Sequence, residues 1–204
     1  GEDSGGVHGA NRLGGNGVAE STVFGARAGD AMAGYVRDAS RSSISVGQIE
    51  AAIDDALKPM TGNGGENIYA IRSEIEDLMW EKVGLVRDGA GMQSALDTLD
   101  GLAERHQRAT VPDIREYNLA WQEWLNVDSI LTVARLTAIS ALSRAESRGS
   151  HYRTDYPEPD ESTPPYNVLM QQDGEAPKVW TEDVRLAKLQ PVGIEDQSET
   201  RMRQ

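Results

Sequence analysis

The residues that could do chemistry gather in two short stretches. The first, GEDSGGVHGANRLGGNG at 1–17, packs glycine around His8 and Arg12. A glycine-dense loop feeding a helix N-terminus lets backbone N–H groups approach an electron-rich ligand. No Lys-Ser or Lys-Thr follows, so the stretch is not a phosphate loop, and no strand precedes it, so it is not a dinucleotide fingerprint. On spacing alone it reads as a structural glycine turn. His8 reads equally as a hydrogen-bonded loop histidine or as a substrate contact.

The second stretch, ESRGSHYRTD at 146–155, sets His151 between Arg148 and Arg153, with Glu146 and Asp155 in reach. It reads by default as a structural charge network, with a charged seam against a neighbouring domain as the alternative, and is assigned no catalysis. His106 is expected late in a helix, as a surface or a C-terminal helix residue. Trp80, Trp121 and Trp124 are read as packing residues rather than a stacking platform. No carboxylate–histidine spacing suggests a metal site, and the acidic runs read as solvated faces.

These residues sit on a chain of 204 residues with net charge −13, which argues against nucleic acid or an anionic membrane surface as a direct partner. The absence of cysteine excludes disulfides and iron–sulfur ligation within the chain. No run is expected to approach a membrane span, because the most apolar stretch, 130–142, is broken by Arg135 and several hydroxyls. No signal peptide is recognised. The start at Gly1, inside a loop, leads to the expectation that the chain is part of a longer one.

The elements that must position the two stretches are mostly helices. One is expected over 18–38 with Asn16 as N-cap. A serine-rich linker at 39–48 leads to a short amphipathic helix over 49–57, ended by Pro59. Ile68, Ile71, Ile75, Leu78 and Met79 share one helical face, and Met92, Leu96, Leu99, Leu102 and Ala103 share another, with a turn at 87–91 between them. The longest helix is expected from Asn118 to Glu146, apolar nearly all round and therefore central in a bundle. Four prolines between 157 and 165 forbid helix, and strands at 166–171 and 179–189 flank a turn at 173–177.

GEDSGGVHGANRLGGNGVAESTVFGARAG at 1–29 resembles the end of the FAD domain in the succinate dehydrogenase, fumarate reductase and aspartate oxidase family. ALSRAESRGSHYRTDYP at 141–157 resembles that family's signature near the end of its helical domain, and EIEDLMWEKVGLVRDGAGMQSALDTLDGL at 74–102 looks like its paired helices. The resemblance implies a mainly α fold: an antiparallel, spectrin-repeat-like helical bundle at 46–157, preceded at 1–45 by a fragment of the FAD-binding α/β domain. An extended tail with a small β hairpin follows at 158–204.

The resemblance also implies a function: part of an FAD-dependent oxidoreductase interconverting succinate and fumarate. Arg12 would grip a substrate carboxylate, with Gly17 and Val18 beside the isoalloxazine and Glu2 on the ribityl chain. The family usually carries Ser where this chain has Gly17. Its nucleotide-binding motif and proton-delivering arginine lie upstream of these residues, so this chain alone is expected to be inactive. The implied partners are a dicarboxylate, the N-terminal FAD domain of the same polypeptide and an iron–sulfur subunit, with membrane contact only through anchor subunits. The implied location is cytoplasmic, at the inner face of the cell membrane. The alternatives are an L-aspartate oxidase fragment and a non-catalytic helical module that binds a partner subunit.

Overall fold

The computed structural model describes residues 6–62, 65–174 and 176–185. Five α-helices and one β hairpin follow in chain order: α1 Asn16–Asp38, α2 Val46–Leu57, α3 Ile68–Val83, α4 Gly89–Arg108, α5 Leu119–Ser143, β1 Tyr166–Asp173 and β2 Ala176–Asp183.

Short polar side chains start most of the helices. Ser45 accepts from Gln48 N, Asn67 from Tyr69 N and Ala70 N, Asp88 from Gly91 N, and Asn118 from Trp121 N. Each satisfies an N–H left over in the first turn. α1 departs from this pattern. Gly15, rather than the expected Asn16, takes the cap position, in the left-handed region at φ 83, and offers no side chain. Ser45 also starts α2 three residues earlier than expected, shortening the linker. Pro59 does not end α2 abruptly. It is buried with Met60 in a 3-10 turn, Lys58–Thr61, where its missing N–H costs nothing.

The bundle consists of α3, α4 and α5, and its two core clusters give the helix directions. One cluster joins Ile68, Ile71 and Ile75 to Leu99, Leu102, Trp124, Val127 and Leu131. The other joins Val83 to Met92, Ala95, Ala138 and Ala141. The start of α3, the end of α4 and the start of α5 therefore lie together, and so do their opposite ends. This is an up-down-up bundle with α4 antiparallel to both neighbours. Alanine lets the helices approach closely in the second cluster.

α5 is long and apolar enough, by length and composition, to cross a membrane. This differs from the expectation that Arg135 and the hydroxyls interrupt the run. In the fold α5 contributes to both core clusters. It also ends at Ser143, three residues before Glu146. Two further expectations fail, one of them in part. His106 does lie in the last turn of α4, but it is fully buried rather than on the surface, stacked on Trp124 with ring centroids 4.5 Å apart. Its Nε2 donates to Trp124 O at 2.9 Å, and Trp124 Nε1 donates to His106 O at 3.2 Å. Trp80 is 74% exposed and packs little.

The hairpin pairs Tyr166 with Asp183 and Asp173 with Ala176. Both strands differ from the expected spans: β1 runs on to Asp173 and β2 begins at Ala176. Pro177 lies within β2, which a two-stranded sheet tolerates because each strand has a free edge. The expected strand residues 186–189 lie outside the described residues. α1 buries only Glu20, while Val18, Val23, Met32, Tyr35 and Val36 are exposed.

Candidate functional site

The glycine loop before α1 adopts positive φ at Gly6, Gly9 and Gly15, a path that side chains rarely follow. His8 lies against α1, its Nε2 2.5 Å from Oε2 of Glu20. The loop histidine thus has a buried carboxylate as partner. Arg12 is exposed, and its guanidinium lies over the start of α1. A Cβ built on Gly17 would stand 2.9 Å from Arg12 Nη1. Serine in this place would make the guanidinium shift, so Gly17 gives Arg12 its room. Val18, the next residue, is exposed. Arg12, Gly17 and Val18 therefore share one small region at the N-terminus of α1. Glu2 lies outside the described residues.

The second stretch folds behind this loop. Residues 147–156, which follow α5 closely and make two tight turns, are stitched to the α3–α4 turn. Arg87 N donates to Tyr152 O at 3.2 Å, and Thr154 N donates to Arg87 O at 2.8 Å. A tight turn brings Gly149 and Ser150 against the glycine loop. Ser150 N donates to Ala10 O at 3.1 Å, and Ser150 Oγ approaches the same oxygen at 3.2 Å.

Glu146 is the buried centre of the charge network. Its carboxylate pairs with Arg144, with Arg148 Nη2 at 2.9 Å and with the Asp160 N–H at 3.1 Å. Burial alone would raise its pKa, but the hydrogen bonds from Arg148, Asp160 and Arg144 outweigh burial and hold it below the ordinary value. Arg153 is 3% exposed and forks onto Asp155, with Nε at 2.9 Å from Oδ1 and Nη2 at 2.6 Å from Oδ2. That fork, with help from the Gly89 N–H, brings the Asp155 carboxyl down to about 2.

His151 joins a different partner. Its Nδ1 is 2.7 Å from Nη1 of Arg87, and because a guanidinium only donates, Nδ1 must accept. Nε2 then carries the hydrogen and faces Arg144 O at 3.4 Å. Burial lowers the His151 pKa, and the charges of Arg87, Arg144 and Arg153 lower it further. Burial also lowers that of Arg87, whose Nε donates to Val83 O and Gly84 O at the end of α3. An open groove of about 290 Å³ remains between Gly9, Ala10, Arg144, Arg148, His151 and Tyr166.

Sequence reasoning placed Glu146 and Asp155 in the network but not Arg87, which comes from the α3–α4 connection. It also missed the Ala10–Ser150 contact. The only local signal was the Arg-Gly-Ser turn, which does not identify its partner. Among the described residues, no group of three His, Asp or Glu side chains is placed to hold a metal.

Residues 72–198 match the family model described as fumarate reductase flavoprotein C-term. The chain is 40% identical over 158 residues to a subunit of the fumarate reductase (CoM/CoB) of Methanothermobacter marburgensis, which is 78% of this chain and 28% of that protein. The fumarate reductase flavoprotein subunit of Haemophilus influenzae is 34% identical over 194 residues, 92% of this chain and 32% of that protein. Among solved structures, the Mycobacterium smegmatis Sdh1 complex in the apo form superposes with a TM-score of 0.87 at 35% identity, covering 93% of this chain and 33% of that one. The chain thus spans about a third or less of the length of the relatives it matches.

Proposed function

This chain belongs to the fumarate reductase flavoprotein family, shared with succinate dehydrogenase flavoprotein subunits, and we propose that it supplies the substrate-carboxylate side of a dicarboxylate oxidoreductase site. The reaction is the FAD-dependent interconversion of succinate and fumarate, and it requires the rest of the flavoprotein. In this reading residues 1–45 close the FAD domain, 46–157 form the helical domain and 158–204 form its tail. The partners are that FAD domain and an iron–sulfur subunit, with the membrane reached only indirectly through anchor subunits and the flavoprotein on the cytoplasmic side.

The observation that carries the reading is the placement of the Arg12 guanidinium over Gly17 at the start of α1. Succinate and fumarate are dicarboxylates, and a guanidinium offers a planar, permanently charged fork that matches a carboxylate. The residues present also suit a flavin. Gly17 and Val18 lie at a helix start capped by a glycine, where unpaired first-turn N–H groups would suit an electron-rich edge. Gly17 has no side chain to hold a ring away, and Glu2 would bind the ribityl hydroxyls. Bound FAD supplies hydride transfer. The part of Arg12 is to fix the substrate carboxylate and to neutralise charge developing toward it. His8, held by Glu20, braces the loop between them.

The test is Arg12→Ala in the full-length flavoprotein. Turnover in both directions falls about a hundredfold to a thousandfold, the cost of losing one preorganised donor, while flavin content stays full. Near-normal turnover with a dye acceptor and full flavin would make Arg12 structural and overturn the reading.

A further inference from the structure

The loop that carries Arg12 is held from outside by the turn at 148–151. Two donors of Ser150, its N–H at 3.1 Å and its Oγ at 3.2 Å, converge on a single acceptor, Ala10 O. Ala10 lies two residues before Arg12. The residue before Ser150 must be glycine for two independent reasons. Its φ is +59, and an added Cβ would stand 2.2 Å from Ala10 O and 2.5 Å from Ala10 C. Those obstacles are backbone atoms, which cannot swing aside as a side-chain tip can.

The turn itself is firmly seated. Arg148 N donates to His151 O at 2.8 Å, and His151 N donates to Arg148 O at 3.1 Å. Arg148 Nε donates to the buried Glu146 at 3.0 Å. The helical domain therefore presents a fixed point, and the glycine loop rests on it.

We propose that Gly149 and Ser150 are positioning residues for the dicarboxylate site: the helical domain sets, through Ala10, where the Arg12 guanidinium stands. The inference rests on the reading of Arg12 as the carboxylate clamp. Opening the 2.2 Å approach to the 3.0 Å that real Cβ atoms keep demands a shift of most of an ångström in the Ala10 backbone. A misplacement of about 1 Å in a positioning group can cost about a hundredfold. A bidentate clamp is sensitive to such a shift because both N–H···O bonds must stay aligned.

The experiment uses the flavin-loaded full-length protein, with malonate as a non-reacting dicarboxylate probe. Gly149→Ala and Ser150→Ala are made singly and again in an Arg12→Ala background, with flavin content and Tm recorded. Gly149→Ala should weaken malonate binding at least about tenfold. Ser150→Ala keeps the N–H bond and loses the hydroxyl, so a loss of about threefold is expected, restored by Ser150→Thr. Flavin content should stay full in all of them.

In the Arg12→Ala background neither substitution should change malonate affinity further, because the clamp they position is gone. Equal losses with and without Arg12, or malonate binding by Gly149→Ala within twofold of the parent, would overturn the proposal. If Gly149→Ala does not fold, the Ser150 pair decides the matter by the same comparison. If Arg12→Ala alone leaves malonate binding unchanged, the clamp reading itself falls, and that outcome is distinct from a failure at Gly149 and Ser150 only.

Discussion

A single substitution at Glu146 should disturb the charge network of this chain strongly. Its side chain is 2% exposed and holds three partners: Arg144, Arg148 and the Asp160 N–H. Glu146→Gln keeps the shape, removes the charge and turns one acceptor oxygen into a donor that faces a guanidinium. Breaking a buried ion pair by removing one partner costs about 3–5 kcal/mol. The two arginines keep 16% and 24% of their side chains exposed and recover some hydration. Screening therefore reduces the figure, and we expect about 2–4 kcal/mol.

The assay is urea denaturation of the chain followed by circular dichroism, with Arg148→Met and the double variant completing a cycle. A coupling of at least about 1 kcal/mol is expected between the pair. The pH dependence gives a second check. The Glu146 pKa lies below its ordinary 4.5 in the folded chain, so its stabilisation is complete above 4.5 and is lost as pH falls through the lowered value. Glu146→Gln should remove that part of the acid sensitivity. A loss under about 1 kcal/mol together with unchanged acid sensitivity would refute the network as a source of stability.

Two other outcomes are expected. The lowered pKa of His151 means that the unfolded chain takes up a proton first as pH drops below 6.5, so stability declines from there toward the folded value. His151→Gln should flatten this part of a plot of urea midpoint against pH, and an unchanged slope would contradict the assignment. Ile71, fully buried, should cost about 2–5 kcal/mol as Ile71→Ala, whereas exposed Trp80→Ala should change stability by no more than about 0.5 kcal/mol. Equal losses for the two, read by thermal melting, would mean that Trp80 is covered in solution.

Much of the bundle was legible because its helices carry apolar faces of period 3.6 between residues that cap. Ile68, Ile71 and Ile75, and Leu99 and Leu102, stand out by spacing and are buried. What misleads is chemistry that depends on a distant partner. His106 reads as polar and peripheral, yet Trp124 from the next helix gives it both a ring to stack on and a carbonyl. Trp80 reads as core because tryptophan usually is, but it points away from both clusters. In the site, the motif marks Arg12 and Gly17, and the structure adds their proximity. The support of Ala10 by Ser150 could not be read from either segment, since neither carries a pattern that specifies the other.

That same support bears on the order in which the chain assembles. Ala10 and Ser150 are separated by 140 positions. Closing a flexible loop of that length costs about 4 kcal/mol of chain entropy beyond the fixed cost of joining ends. Two hydrogen bonds, worth a net 0.5–1.5 kcal/mol each at about room temperature, do not offset it. The contact therefore cannot seed folding. Packing among α3, α4 and α5 closes much shorter loops and comes first, bringing residues 147–156 into place beside Arg87. Only then is there a surface for the glycine loop to find. The glycine loop is thus set after the bundle, against a surface that has already folded.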